Sequence, residues 1–133
     1  MEYLSTVIYV DDVEETLDFY YQAFGISAAK LHESGQYGEL NTGSVKLAFA
    51  AHPLAQSHFK QNYIRAQPKQ PALGFEISFH SDNVVAAYTK AIQAGAEPLS
   101  PPVEKPWGHT VAYVRSIEGT LIALSSDIEP ELE

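Results

Sequence analysis

The chain has 133 residues, 17 of them acidic against 8 basic, for a formal net charge of −9; it contains no cysteine. That length suits one domain with a real core, or two small halves. The missing cysteines exclude disulfides, thiolate catalysis and Cys-ligated metal, and the acidic balance excludes the basic footprint that nucleic acid requires.

In chain order, residues 4–10 (LSTVIYV) are β-branched and apolar and read as a first strand. The N-terminal stretch has neither a basic flank nor a small-residue cleavage site, so it reads as that strand rather than as a secretory leader. No apolar run approaches the roughly 20 residues needed to cross a bilayer, and a cytoplasmic location is expected.

Asp11 or Asp12 then caps a helix whose first turn carries Glu14 and Glu15. Val13, Leu17, Tyr20, Tyr21 and Phe24 recur at spacings of three and four and form its apolar stripe, and Gly25 stops it. Residues 28–32, 37–41 and 44–50 read as three strands joined by turns at Gly35 and at Asn41-Thr42-Gly43. Residues 52–70, rich in Pro, Gln and His, read as a linker with one helical turn around residues 56–64.

The same order then returns. Residues 74–79 (GFEISF) are a strand, Asp82 or Asn83 caps a helix ending at Gly95, and residues 97–100 form a short strand before Pro101-Pro102. Residues 110–115 (TVAYVR) and 120–125 (TLIALS) are the last strands, hinged at Glu118-Gly119. VDDVEETLDFYYQAFG and SDNVVAAYTKAIQAG align at an offset of 71, which pairs Ser5 with Glu76; the hairpin glycines Gly43 and Gly119 align at 76. Neither βαβββ copy can bury its sheet alone. The fold class is therefore α+β: two βαβββ repeats forming a curved mixed sheet with a concave cleft, and helices on the convex side. The chain reads as one domain over 1–133, with repeat one at about 3–51, the linker at about 52–70 and repeat two at about 71–127.

Alternation along the strands puts Phe75, Ile77 and Phe79 under a helix and Glu76, Ser78 and His80 on the other face. The expected cleft floor is Ser5, Val7, Tyr9, Leu47, Phe49, Glu76, Ser78, Leu121 and Ala123, mostly apolar with a few polar anchors, as in pockets for small organic molecules. Trp107, the only tryptophan, is either a packing residue or a stacking wall for a ligand. His109 is either a hydrogen-bonded strand residue or a functional imidazole, and Glu76 either sits in water or meets a cation.

The stretches TVIYVDDVEETLDFYYQAFGI, VVAAYTKAIQAGAEPLSPP and KPWGHTVAYVRSIEGTLIAL together resemble the vicinal oxygen chelate superfamily of glyoxalases, bleomycin-resistance proteins and extradiol dioxygenases. The resemblance covers nearly the whole chain. It implies four metal-ligand positions, one on the first and one on the last strand of each repeat, here Ser5, Leu47, Glu76 and Ala123; a one-residue slip in the first copy brings Lys46 in place of Leu47. Only Glu76 is a good ligand for a divalent ion, so no metal and no cofactor are expected. The resemblance thus implies a metal-free, bleomycin-resistance-like binder of a small cationic or aromatic molecule, of sequestration or resistance type. Its ligand residues are expected among Tyr9, Phe49, Glu76, Ser78, Trp107 and His109. A homodimer is expected, with no nucleic-acid or membrane partner. The alternative is a divalent-metal-dependent lyase or dioxygenase using an unusual set such as Glu76 and His109.

Overall fold

A computed structural model describes residues 1–126, so the expected end of repeat two at residue 127 lies outside the described residues. The chain forms two compact units, residues 1–66 and residues 67 onward. The first holds strands β1 (Ser5–Val10), β2 (Ala28–Leu31), β3 (Tyr37–Leu40) and β4 (Lys46–Ala51) with helices α1 (Val13–Phe24) and α2 (His52–Gln56). The second holds β5 (Glu76–His80), α3 (Val84–Gln93), β6 (Glu97–Glu104), β7 (Thr110–Arg115) and β8 (Leu121–Ser125). The sheet orders are β1-β4-β3-β2 and β5-β8-β7-β6, with β1–β4 and β5–β8 parallel and the other pairs antiparallel. The duplicated βαβββ order expected from the repeat is thus present in both units.

Local chemistry sets the helices. The Asp12 carboxylate accepts from the Glu15 amide at 3.0 Å, and Gly25 ends α1 in the left-handed region at φ 73°. The Asn83 side chain accepts from the Ala86 amide in the same way at the start of α3. The buried face of α1 is Val13, Thr16, Leu17, Phe19, Tyr20 and Ala23. Tyr21, expected in the stripe, is 53% exposed. The small Thr16 and Ala23 turn the contact face the other way, so Phe19 packs edge-to-face on both Tyr20 and Phe24.

Three boundaries differ from the sequence reading. The helical turn in the linker is α2 itself, starting directly after β4, because Pro53 suits a first turn, where its missing N–H costs nothing. β6 continues through Pro101-Pro102 to Glu104, with two register irregularities. It is an edge strand, where a lost backbone donor is tolerated. β5 begins at Glu76 rather than at residue 74.

The faces of β4 also differ. Ser5 pairs with Lys46, Val7 with Ala48 and Tyr9 with Ala50, whereas Ile8 pairs with Phe49 and Val10 with Ala51. Phe49 is fully buried, its ring 4.9 Å from that of Tyr20 on α1, so Leu47 and Phe49 lie on the helix-covered face rather than beside Ser5 and Tyr9. Their place on the open face is taken by Lys46, Ala48 and Ala50. The cause is loop length: β4 starts three residues after Gly43, while β8 starts two after Gly119. One residue more inverts every side chain in the strand. Thr42 fixes that longer loop, donating to the Val45 carbonyl and accepting from the Leu47 amide.

Candidate functional site

In the second unit the open face of the sheet carries Glu76 and Ser78 from β5, Leu121 and Ala123 from β8, and Tyr113 and Arg115 from β7, which the pairing sets side by side. The alternate residues Ile122, Leu124, Ala112 and Val114 are buried on the opposite face. Glu76 is exposed, yet its carboxylate is held: Ser78 Oγ donates to Oε2 at 3.0 Å, and the Tyr113 hydroxyl also hydrogen-bonds the carboxylate. Burial first, then the charge and hydrogen bond of Glu76, pushes the Tyr113 phenol above its usual range. The phenol therefore stays a donor, and a fixed anion faces outward from a sheet face that also carries Leu121, Ala123 and the Tyr113 ring.

Arg115 closes one end of this face. It is buried, and its guanidinium donates to the carbonyls of Gln67, Gln70 and Gly119 at 2.6–3.3 Å. With its donors spent on backbone, it fixes the strap at residues 67–70 and does not neutralise Glu76.

Trp107 and His109 form a separate pair in the β6–β7 hairpin. The Trp107 indole, 47% exposed, donates to His109 Nε2 at 3.4 Å, and the rings lie 5.4 Å apart. The register sets this hairpin far from Glu76. Val111 is level with Ser125 and His80, while Arg115 is level with Leu121 and Glu76. Four residues of strand, about 13 Å, separate those levels, and His109 lies beyond them. The suggested Glu76–His109 ligand pair is therefore not assembled. His80 instead contacts the Ser126 carbonyl at 3.1 Å and Asp82 at 3.5 Å.

In the first unit, Tyr9 lies on the open face with its ring 5.1 Å from Tyr63. The same face carries Tyr37, whose hydroxyl donates to Glu39 Oε2 at 2.9 Å, and Lys46, whose Nζ is 3.6 Å from that carboxylate. Burial, together with the bond and charge of Glu39, pushes the Tyr37 phenol up to about 12. Of the six ligand residues expected from sequence, the structure joins Glu76 with Ser78 and Trp107 with His109. It leaves Tyr9 with Tyr63 and puts Phe49 in the core. Tyr113 and Tyr63 were missed. The alternation of TVAYVR marks Tyr113 as sharing a face with Val111 and Arg115, but only cross-strand register shows that this face meets Glu76.

Pairing shifts one of the positions that the resemblance implies: the β4 residue equivalent to Ala123 is Ala48 rather than Leu47. A hydroxyl and a methyl group in the first unit, and one carboxylate and a methyl group in the second, give neither unit by itself a donor set for a divalent ion. Among the described residues, no group of three His, Asp or Glu side chains is placed to hold one.

Similarity to known proteins bears on the whole chain. Residues 3–124 match the model of the glyoxalase/bleomycin resistance protein/dioxygenase superfamily. No curated protein matches. Among solved structures, a glyoxalase-related enzyme from Fulvimarina pelagi superposes with a TM-score of 0.82 at 15% identity, covering 96% of this chain and 88% of its own. A glyoxalase/bleomycin resistance protein/dioxygenase family enzyme from Burkholderia phytofirmans PsJN gives 0.74 at 21%, covering 95% and 98%. TioX from Micromonospora sp. ML1 gives 0.68 at 18%, covering 95% and 98%. At these identities the structural likenesses carry the fold alone, and the family match carries membership: the chain belongs to the glyoxalase/bleomycin resistance protein/dioxygenase superfamily.

Proposed function

We propose that this chain is a metal-free member of the superfamily that binds a small cationic, aromatic-bearing organic molecule on the open sheet face around Glu76. The observation that carries the reading is the Glu76 carboxylate, fixed by Ser78 and Tyr113 and with no basic partner among the described residues, at the one family ligand position that retains an acidic side chain. A fixed anion beside Leu121 and the Tyr113 ring recognises a cation by charge and its body by contact. The net charge of −9 raises the local concentration of such a molecule. The role is sequestration, of the resistance type, by a cytoplasmic homodimer.

The test is calorimetry of the purified protein against a panel of cationic aromatic compounds in buffer containing a chelator. Binding that survives the chelator and weakens about tenfold or more in Glu76→Gln supports the reading, since a charge-assisted hydrogen bond contributes about 1.5–3 kcal/mol. Binding or turnover that appears only on adding Ni, Zn, Mn or Fe overturns it in favour of a metal-dependent lyase or dioxygenase. Sedimentation decides the dimer separately.

A further inference from the structure

The first unit holds a row of chemistry that Glu76 does not use. His52 opens α2 and is 4% exposed. Its Nδ1 lies 2.7 Å from the Tyr63 hydroxyl, and its Nε2 lies 3.5 Å from Asp11 Oδ1. The Tyr63 ring stacks on the imidazole with centroids 5.7 Å apart and meets Tyr9 edge-on at the open face of the sheet. Arg65 Nη1 lies 4.0 Å from the same Asp11 oxygen.

A carboxylate only accepts, so the tautomer that carries the ring proton on Nε2 is the one that faces Asp11 favourably across 3.5 Å. The Nδ1 lone pair is then free to accept from the Tyr63 hydroxyl. A hydroxyl held on a base that a third group orients is the general arrangement of an activated nucleophile.

We propose that Asp11, His52 and Tyr63 form a proton relay that makes the Tyr63 oxygen a nucleophile toward a small electrophilic molecule, such as a carbonyl or sulfonyl compound, presented at the Tyr9 face. As the Tyr63 oxygen bonds to the electrophilic carbon or sulfur, the carbonyl π pair moves onto its oxygen or the sulfonyl leaving group departs with its electron pair; the phenolic proton passes to His52 Nδ1, and the resulting imidazolium faces the Asp11 carboxylate. Burial, reinforced by Arg65 and opposed by Asp11, holds His52 below its ordinary range, so the ring is an unprotonated base at neutral pH. The charged and titratable groups facing it are Asp11, Arg65 and Tyr63.

An arylsulfonyl fluoride tests this directly. The tyrosine oxygen bonds to sulfur, fluoride leaves, and the phenolic proton departs through His52 to water. The whole protein is treated with the reagent and labelled tyrosines are timed by peptide mass mapping, with Tyr21 as the internal standard because it is 53% exposed. Tyr63 is expected to label at least about tenfold faster than Tyr21, since a positioned base contributes roughly 10²–10⁴-fold. The Tyr63-to-Tyr21 ratio should fall as pH drops and His52 takes a proton. In His52→Gln the ratio should collapse toward one while Tyr21 labelling and the far-UV spectrum stay unchanged. If that variant fails to fold, the pH arm on the unsubstituted protein decides. A Tyr63 rate no greater than that of Tyr21, a ratio that does not change with pH, or a fast rate retained in a folded His52→Gln protein overturns the relay and leaves His52–Tyr63 a structural tether.

Discussion

Single residues separate anchoring from packing. Strand alternation alone puts Phe49 and Glu76 both in the cleft, but one is fully buried on Tyr20 and the other is exposed with its carboxylate held by Ser78 and Tyr113. Phe49→Ala should therefore lower unfolding stability by about 3–5 kcal/mol, the cost of emptying a core aromatic site. Glu76→Gln, which keeps an acceptor oxygen for Ser78, should change it by less than about 0.5 kcal/mol. Urea unfolding of the two variants checks this; equal losses would put Phe49 and Glu76 in similar surroundings. Gly38 makes a related point. A Cβ there would lie 2.7 Å from Leu17 Cδ1, 3.2 Å from Val13 Cγ1 and 3.3 Å from the Lys30 carbonyl. The leucine tip can swing, but the stiff valine and the backbone oxygen cannot, so Gly38→Ala should cost about 1–3 kcal/mol through overpacking of α1 on β3. A thermal midpoint unchanged from the parent would contradict that close approach.

At the scale of elements, the helix ends are where local chemistry and fold agree. Asp12→Ala removes the acceptor for the Glu15 amide and should cost about 1 kcal/mol, read as a lower thermal midpoint with the far-UV spectrum intact. No loss would mean that water caps α1 as well as the carboxylate does. Such signals lie within a few residues of one another, which is why α1, α3 and both βαβββ orders were legible in the sequence. What was not legible depends on contacts distant in the chain. The strand β6 runs through two prolines because it is an edge strand, a fact of sheet order rather than of residues 97–104. The face of Phe49 turned on one extra residue between Gly43 and β4. Glu76 finds Tyr113, 37 positions away, only through the pairing of β5 with β8 and of β8 with β7. Sequence alternation placed Glu76 and Ser78 on one face; it could not say which side chains arrive from neighbouring strands.

At the scale of the whole molecule, each unit carries a tyrosine–glutamate pair on its open sheet face, at positions that the repeat does not relate, Tyr37 with Glu39 and Tyr113 with Glu76. In both pairs burial is the larger cause of a raised phenol, and the neighbouring carboxylate adds to it. The consequence is a stability limit on the alkaline side. An unfolded tyrosine releases its proton near 10, whereas folded Tyr37 keeps it to about 12. Between those values the unfolded chain binds fewer protons than the folded one, so stability falls as pH rises through that window and is fully present below it. Tyr113 acts in the same direction. His52 sets an opposite limit. Its folded value lies below the ordinary 6.5, so its contribution is present above that pH and is lost as the pH falls and the buried ring must be charged. The thermal midpoint should therefore be highest between these limits. Tyr37→Phe, which cannot ionise, should flatten the alkaline limb, and Tyr113→Phe should flatten it further. His52→Gln should leave the alkaline limb unchanged and soften only the acid one. An alkaline limb equally steep in the Tyr37→Phe, Tyr113→Phe double variant would show that these paired phenols do not set the limit.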